Sequence, residues 1–153
     1  MISLQKFTLP HQPFIEALYR STREPELHLT NWTEEQKTAF CHMQQFAQLA
    51  DYGRKPGASH QVILCKKKPV GRLFCWESAE EIRLADISLL PEFRGLGIGR
   101  AVLTELMATA RRKKKPLTLH VALANPARRL YESLGFRQMR VVHDNAFMEL
   151  SPG

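Results

Sequence analysis

The spacing of apolar and polar positions switches repeatedly between strand and helix period along the chain. The opening segment "ISLQKFT" reads as a short strand, Ile2–Thr8. After Pro13, "FIEALYRST" places Phe14, Ala17 and Leu18 on one side, the pattern of an amphipathic helix. A second helix is expected in "NWTEEQKTAFCHMQQFAQLADYG". Thr33 with Gln36 has the form of a capping box, and Phe40, Met43, Ala47 and Ala50 recur at helical spacing until Gly53, which points these four at the core.

The period then shortens. "HQVILCKK", "KPVGRLFCWE" and "EIRLADISLL" are short apolar runs separated by turn-forming and charged residues, and they predict three strands joined as antiparallel hairpins. Helical spacing returns from Gly97 to Arg112, with Val102, Leu103, Leu106 and Ala110 on the buried side and Pro116 as the stop. "LTLHVAL" reads as a strand and "PARRLYESL" as a short helix, with Pro126 in its first turn and Gly135 as its C-terminal cap. "FRQMRVVH" and "NAFMEL" close the chain as a hairpin through Asp144 and Asn145. The order β-α-α-β-β-β-α-β-α-β-β predicts an α/β (α+β) fold around one sheet. No repeat or linker interrupts it, so residues 1–153 are expected to form one domain.

Composition narrows the class. A chain of 153 residues that is 44% apolar can bury one sizeable core. No apolar run approaches the ~18 residues of a membrane span, and the N-terminus lacks the basic, apolar and small-residue regions of a signal peptide. No membrane association and a cytoplasmic location are therefore expected. Cys41, Cys65 and Cys75 are widely spaced with no clustered histidines, which suggests reduced thiols and no metal site. The net charge of +7 favours a polyanionic ligand: nucleic acid, a membrane surface or a phosphorylated cofactor. Neither an RNA-recognition aromatic motif nor a helix-turn-helix signal is present, so nucleic acid is not the expected partner. The run "RRKKK", Arg111–Lys115, falls where a helix should end, and its cations complement the helix dipole.

The candidate chemistry lies in "LLPEFRGLGIGRAV", Leu89–Val102. Strand, glycine-rich turn and helix in succession leave unpaired N–H groups at a helix N-terminus, a cradle for an anion. The glycines let the backbone approach a phosphate closely, and Arg94 and Arg100 flank the turn with positive charge. A P-loop would need Lys and Ser/Thr after the last glycine, where Arg100 and Ala101 stand. A dinucleotide fingerprint would follow the first strand of a βαβ unit, whereas this turn follows the fourth strand.

"RGLGIG" has the form Arg-x-x-Gly-x-Gly, and "NPARRLYESLGF" follows it. Together with the preceding "LADISLLPEF", these segments resemble the GNAT superfamily of N-acetyltransferases, firmly from Ile82 to Phe136 and in element order over the whole chain. The resemblance implies a mixed sheet of six to seven strands with about four helices. It also implies that the amides from Arg94 through Gly95, Leu96, Gly97, Ile98 and Gly99 to Arg100 wrap the diphosphate of acetyl-coenzyme A. By the same resemblance the strand ending at Leu90 splays from the strand Leu117–Leu123. Ile87, Ser88 and Leu89 would then hold the pantetheine arm and the acetyl carbonyl.

Transfer from a thioester to an amine needs a proton acceptor for the amine and a donor for the departing thiolate. Tyr131 matches the family's proton-donating tyrosine. His120 lies where some members carry a glutamate base; Asp86 is the other candidate, with Arg83 as its expected ion partner, and bound water is a third source. Asn125 maps to a coenzyme contact, but its spacing to Tyr131 is one residue shorter than is common in the family, and a helix N-cap role competes. The acceptor side is expected under the first two helices and the closing hairpin, where Trp32, Phe40, Tyr52, Trp76 and His143 could line a pocket. A small-molecule amine and a peptide are both open as acceptors. The expected function is acetyl-coenzyme A-dependent N-acetyl transfer to a primary amine; the alternative is a non-catalytic coenzyme A-binding sensor or partner subunit. Homodimers are common in the superfamily, and no residue here decides for or against one.

Overall fold

A computed structural model describes residues 1–153. The strands are β1 (Ile2–Lys6), β2 (Ala58–Cys65), β3 (Lys68–Glu77), β4 (Ile82–Leu89), β5 (Leu117–Ala122), β6 (Arg137–Val142) and β7 (Asn145–Leu150). The helices are α1 (Gln12–Leu27), α2 (Glu34–Gly53), α3 (Ile98–Arg112) and α4 (Ala127–Ser133). All seven strands form one mixed sheet in the order β1-β2-β3-β4-β5-β7-β6. Every neighbouring pair is antiparallel except β4 and β5.

The predicted element order holds, and its boundaries follow local chemistry. In α2, Thr33 Oγ1 accepts the Gln36 N–H at 3.1 Å and Gln36 Oε1 accepts the Thr33 N–H at 2.9 Å, so the capping box forms. Gly135, at φ +105°, follows α4 and caps it as expected. The closing hairpin turns one residue earlier than predicted, on His143 and Asp144, both left-handed at φ 49° and 63°. Lys66 and Lys67 join β2 to β3 in the same way, because a two-residue turn between twisted antiparallel strands needs this backbone hand. The basic run after α3 is partly engaged: the ammonium groups of Lys113 and Lys115 lie 2.8 and 2.7 Å from the two oxygens of Glu77.

Alternation along the strands divides the core. On one face α3 and α4 pack Ile98, Val102, Leu103, Ala110 and Tyr131 against Leu73, Leu84, Leu119 and Met148. On the other, Ile15 and Leu18 of α1 bury Val62.

Two core expectations fail. Met43, Ala47 and Ala50 are exposed, Phe40 is only half-buried against Trp32, and Ala17 of α1 also faces outward. The side of α2 that meets the sheet carries Cys41, Gln45, Gln48 and Tyr52 instead. Its polar character has a cause in what it covers: Gln48 accepts from Arg72 of β3, and Gln45 accepts from Gln12 at 2.8 Å.

Candidate active site

The glycine-rich turn lies between β4 and α3 with its donors free. The N–H groups of Gly95, Leu96, Gly97, Ile98, Gly99 and Arg100 find no acceptor in the protein, and α3 starts its own bonding with Ala101 donating to Gly97 O. Gly95 and Gly97 hold φ +73° and +85°, and open space lies where a Cβ would project from either. The turn requires glycine for its left-handed backbone, and the amides border an unfilled volume. This donor set fits a diphosphate. Arg94 folds back so that its Nε donates to Leu89 O at 3.1 Å, and Arg100 reaches Ser133 of α4 at 3.1 Å. The two arginines thereby tie the turn to the strand before it and to the helix beside it.

The parallel pair opens beside this turn. β4 and β5 are in register only from Ile82 to Leu84 against Leu117 to Leu119, although β4 runs on to Leu89 and β5 to Ala122. The strands splay as the sequence led us to expect. Alternation also slips within β4: Phe74 faces Asp86 while Cys75 faces Leu84, so Ala85 is an extra residue. After the bulge Ile87 and Leu89 turn toward the α3 face, where they pack on the core, and Asp86 and Ser88 turn toward the α1 face.

Tyr131 packs its ring edge-on to Phe136, centroids 5.7 Å apart, and is only 7% exposed. Its hydroxyl bonds no protein group, yet it is not sealed from solvent. Burial, with a smaller push from the Asp86 charge, raises its pKa to about 12. The phenol therefore stays protonated at neutral pH and is a donor. Asn125 turns its Oδ1 onto the Ala127 N–H at 2.9 Å, so its side chain is used at least in part as the cap of α4.

The α1/α2 side carries the other candidates. His120 is exposed on β5, its ring 5.1 Å from Phe147. Partial burial, then the positive charges of Arg83 and Arg140, lower its pKa, which favours the neutral imidazole. The expected Asp86–Arg83 pair does not form. Asp86 Oδ2 accepts from Arg72 Nε at 2.6 Å, while Arg83 reaches Glu81 at 3.0 Å and Thr118 at 2.7 Å. Arg72 comes from the neighbouring strand β3, and burial of its side chain demands a carboxylate close by. A cavity of about 250 Å³ opens over this pair, lined by Tyr19, Arg23, Gln48, Arg72, Asp86 and Ser88 among others. Sequence reasoning missed Arg72 and Gln48. An arginine inside the apolar run "KPVGRLFCWE" was the available signal, since an ionised side chain within a central strand needs a partner.

Of the expected pocket aromatics, Tyr52 lies on Phe74 with centroids 4.3 Å apart, and Trp76 sits beneath Arg83. Trp32 and Phe40 pack on each other, and His143 occupies the hairpin turn. A larger cavity of about 730 Å³ separates α1 from α2 near Ala17, Arg20, Thr38 and Cys41. None of its lining residues belongs to the glycine turn or the splay, so its size carries no weight against the chemistry beside β4.

Residues 56–138, more than half the chain, match the family model of the GNAT acetyltransferase domain. The chain belongs to this acetyltransferase family. The ribosomal protein bS18-alanine N-acetyltransferase of Haemophilus influenzae is 33% identical to it over 73 residues, 47% of this chain and 50% of that protein. The match thus spans half the length of that curated relative. The PaiA N-acetyltransferase of Thermoplasma acidophilum, solved in complex with coenzyme A, superposes with a TM-score of 0.75 at 16% identity, covering 99% of each chain. The spermidine N-acetyltransferase of Vibrio cholerae, solved with coenzyme A and spermine, gives 0.70 at 17% identity over 99% of this chain and 95% of that one. At such identities the superpositions establish the shared GNAT fold.

Proposed function

We propose that residues 1–153 act as one N-acetyltransferase domain that moves an acetyl group from acetyl-coenzyme A to a primary amine. The observation that carries this reading is the juxtaposition of the free amides Gly95–Arg100 with the opening between β4 and β5. The amides hold the diphosphate, with Arg94 and Arg100 fixing the turn that presents them. The freed edge of β4 at Ile87, Ser88 and Leu89 receives the pantetheine arm through its backbone, because two of these side chains point into the core. Acetyl-coenzyme A supplies an activated thioester at the opening.

The acceptor enters from the α1/α2 side. One C–N bond forms as one C–S bond breaks, so the amine must lose a proton and the sulfur must gain one. Tyr131, held protonated by burial, gives the proton to sulfur. His120, whose surroundings favour the neutral imidazole, takes the amine proton directly or through water. Asp86 is less suited to that task, because the Arg72 guanidinium already occupies one of its oxygens. Asn125 adds a coenzyme contact only through what its capping bond leaves free.

The reading is tested by titrating the protein with acetyl-coenzyme A while following thermal unfolding, then by assaying thiol release with a panel of amines. A rise in Tm together with amine-dependent thiol release supports an enzyme. A rise in Tm with no turnover on any amine would instead support a coenzyme A sensor, and no rise at saturating coenzyme would refute both.

A further inference from the structure

The acceptor-side face carries an arrangement of charges for which coenzyme binding and proton transfer supply no ligand. Arg83 lies between two aromatic rings, its guanidinium carbon 5.3 Å from the centre of Trp76 and 5.4 Å from that of Phe147. The Lys55 ammonium stands 4.9 Å from the Trp76 ring, and the Arg140 guanidinium 4.3 Å from the Phe147 ring. The result is one continuous row, Lys55, Trp76, Arg83, Phe147, Arg140, in which each ring holds two cations. Strand register builds it: Trp76 faces Arg83 across β3 and β4, and Phe147 faces His120 on one side and Arg140 on the other.

The row is short of countercharge. Arg83 spends Nε on Thr118 and one terminal nitrogen on Glu81, and its other terminal nitrogen has no protein partner and stays open to solvent. Neither Lys55 nor Arg140 meets a carboxylate within ion-pair distance or any hydrogen-bond acceptor, although the rings fix where their heads point. Three cations are thus positioned in advance with donors uncommitted, a geometry that rewards several carboxylates and repels a polycation. The same positive field contributes to the lowered pKa of His120, which lies in the row's path.

Reach decides the size of the ligand. The row crosses from β3 through β4, β5 and β7 to β6, four strand spacings of about 4.8 Å each, or roughly 19 Å. A free amino acid cannot span it, whereas an extended peptide of about six residues can, at ~3.3 Å per residue. The row also lies beside the point where β4 and β5 separate, just beyond the last paired residues Leu84 and Leu119, where the acceptor nitrogen enters on the acetyltransferase reading.

We infer that the acceptor is an amino group carried on an acidic peptide, whose carboxylates lie along Lys55, Arg83 and Arg140. The amino group rests on the acetyltransferase reading; the acidic peptide rests on the row alone. The test uses the full chain and two short peptides with free N-termini that differ only in carrying Glu or Arg at the positions after the first, so that each has one primary amine. Binding is followed by fluorescence anisotropy with coenzyme A present, and transfer by thiol release with acetyl-coenzyme A. The acidic peptide should bind, and be acetylated, about tenfold or more better than the basic one, with an advantage that shrinks as salt is added. In the double variant Lys55→Ala, Arg140→Ala most of that advantage should vanish, while coenzyme A still raises the Tm as in the parent, which shows an intact fold. Equal or better use of the basic peptide or of spermidine, or an advantage unchanged in the double variant, would overturn the inference. Binding of the acidic peptide with no thiol release on it or on any amine of the panel would keep the row and refute the transferase reading; acetylation of other amines but not of the bound acidic peptide, or acetylation indifferent to peptide charge, would refute the acidic acceptor and keep the transferase.

Discussion

At Gly97 the backbone is at φ +85°, and a side chain there would meet nothing within 4 Å. Gly97→Ala therefore tests conformation apart from packing. It should destabilise the fold by about 1 kcal/mol, the cost of a left-handed alanine, and weaken coenzyme binding about tenfold by displacing the neighbouring amides, as read by urea unfolding and calorimetry. Tyr131 separates the same two quantities in the opposite direction. Tyr131→Phe keeps the ring against Phe136 and removes only the donor, so kcat should fall about a hundredfold with little change in Tm or in coenzyme affinity. An undiminished kcat would take the proton-donor role from Tyr131. Both residues were legible in the sequence because each belongs to a local pattern, a glycine-rich turn before a helix and a tyrosine within "RRLYESLGF". The partner of Asp86 was not legible. Arg83 is near in the chain, but cross-strand packing and the bulge at Ala85 bring Asp86 to Arg72 instead.

At the scale of elements, α2 shows why hydrophobic spacing misled. Met43, Ala47 and Ala50 form an acceptable helical stripe, yet the buried side contains Gln45 and Gln48, because that side covers an arginine inside the sheet and must offer it hydrogen bonds. A hydrophobicity pattern weighs residues one element at a time, and this burial is set by three elements together. The Arg72 contact network joins α2, β3 and β4, so breaking it should be felt globally. Asp86→Ala leaves a guanidinium with only 4% of its side chain exposed without its carboxylate and should lower stability by about 2 to 3 kcal/mol in denaturant titrations, with Asp86→Asn losing less. Equal stability of Asp86→Ala and the parent would mean that Gln48 alone satisfies Arg72.

For the whole molecule, element order and fold class followed from periodicity, since each change of period marks a passage between strand and helix. The strand order did not, because pairing between distant segments leaves no local trace; the place of β7 between β5 and β6 emerges only in three dimensions. One global property follows from a buried titratable group. His60 stacks on Phe7 with centroids 4.5 Å apart and lies near Phe74, and burial, followed by the Arg72 and His11 charges, lowers its pKa from 6.5 to about 4. A depressed folded pKa means that the unfolded chain binds the proton first. The stabilisation is therefore complete above pH 6.5 and is lost as pH falls toward 4. Urea unfolding at pH 7.5 and at pH 5 should differ by about 1 to 2 kcal/mol from this residue, and His60→Phe should flatten the difference.

Coenzyme binding depends first on the turn that precedes α3. The most direct test is a nitrogen-15 amide spectrum of the protein titrated with coenzyme A. The account predicts that the resonances of Gly95 through Arg100 move most, saturating together with those of Ile87 to Leu89, while the amides of β6 stay in place. Tight binding that leaves Gly95 through Arg100 unmoved and shifts another surface instead would contradict it.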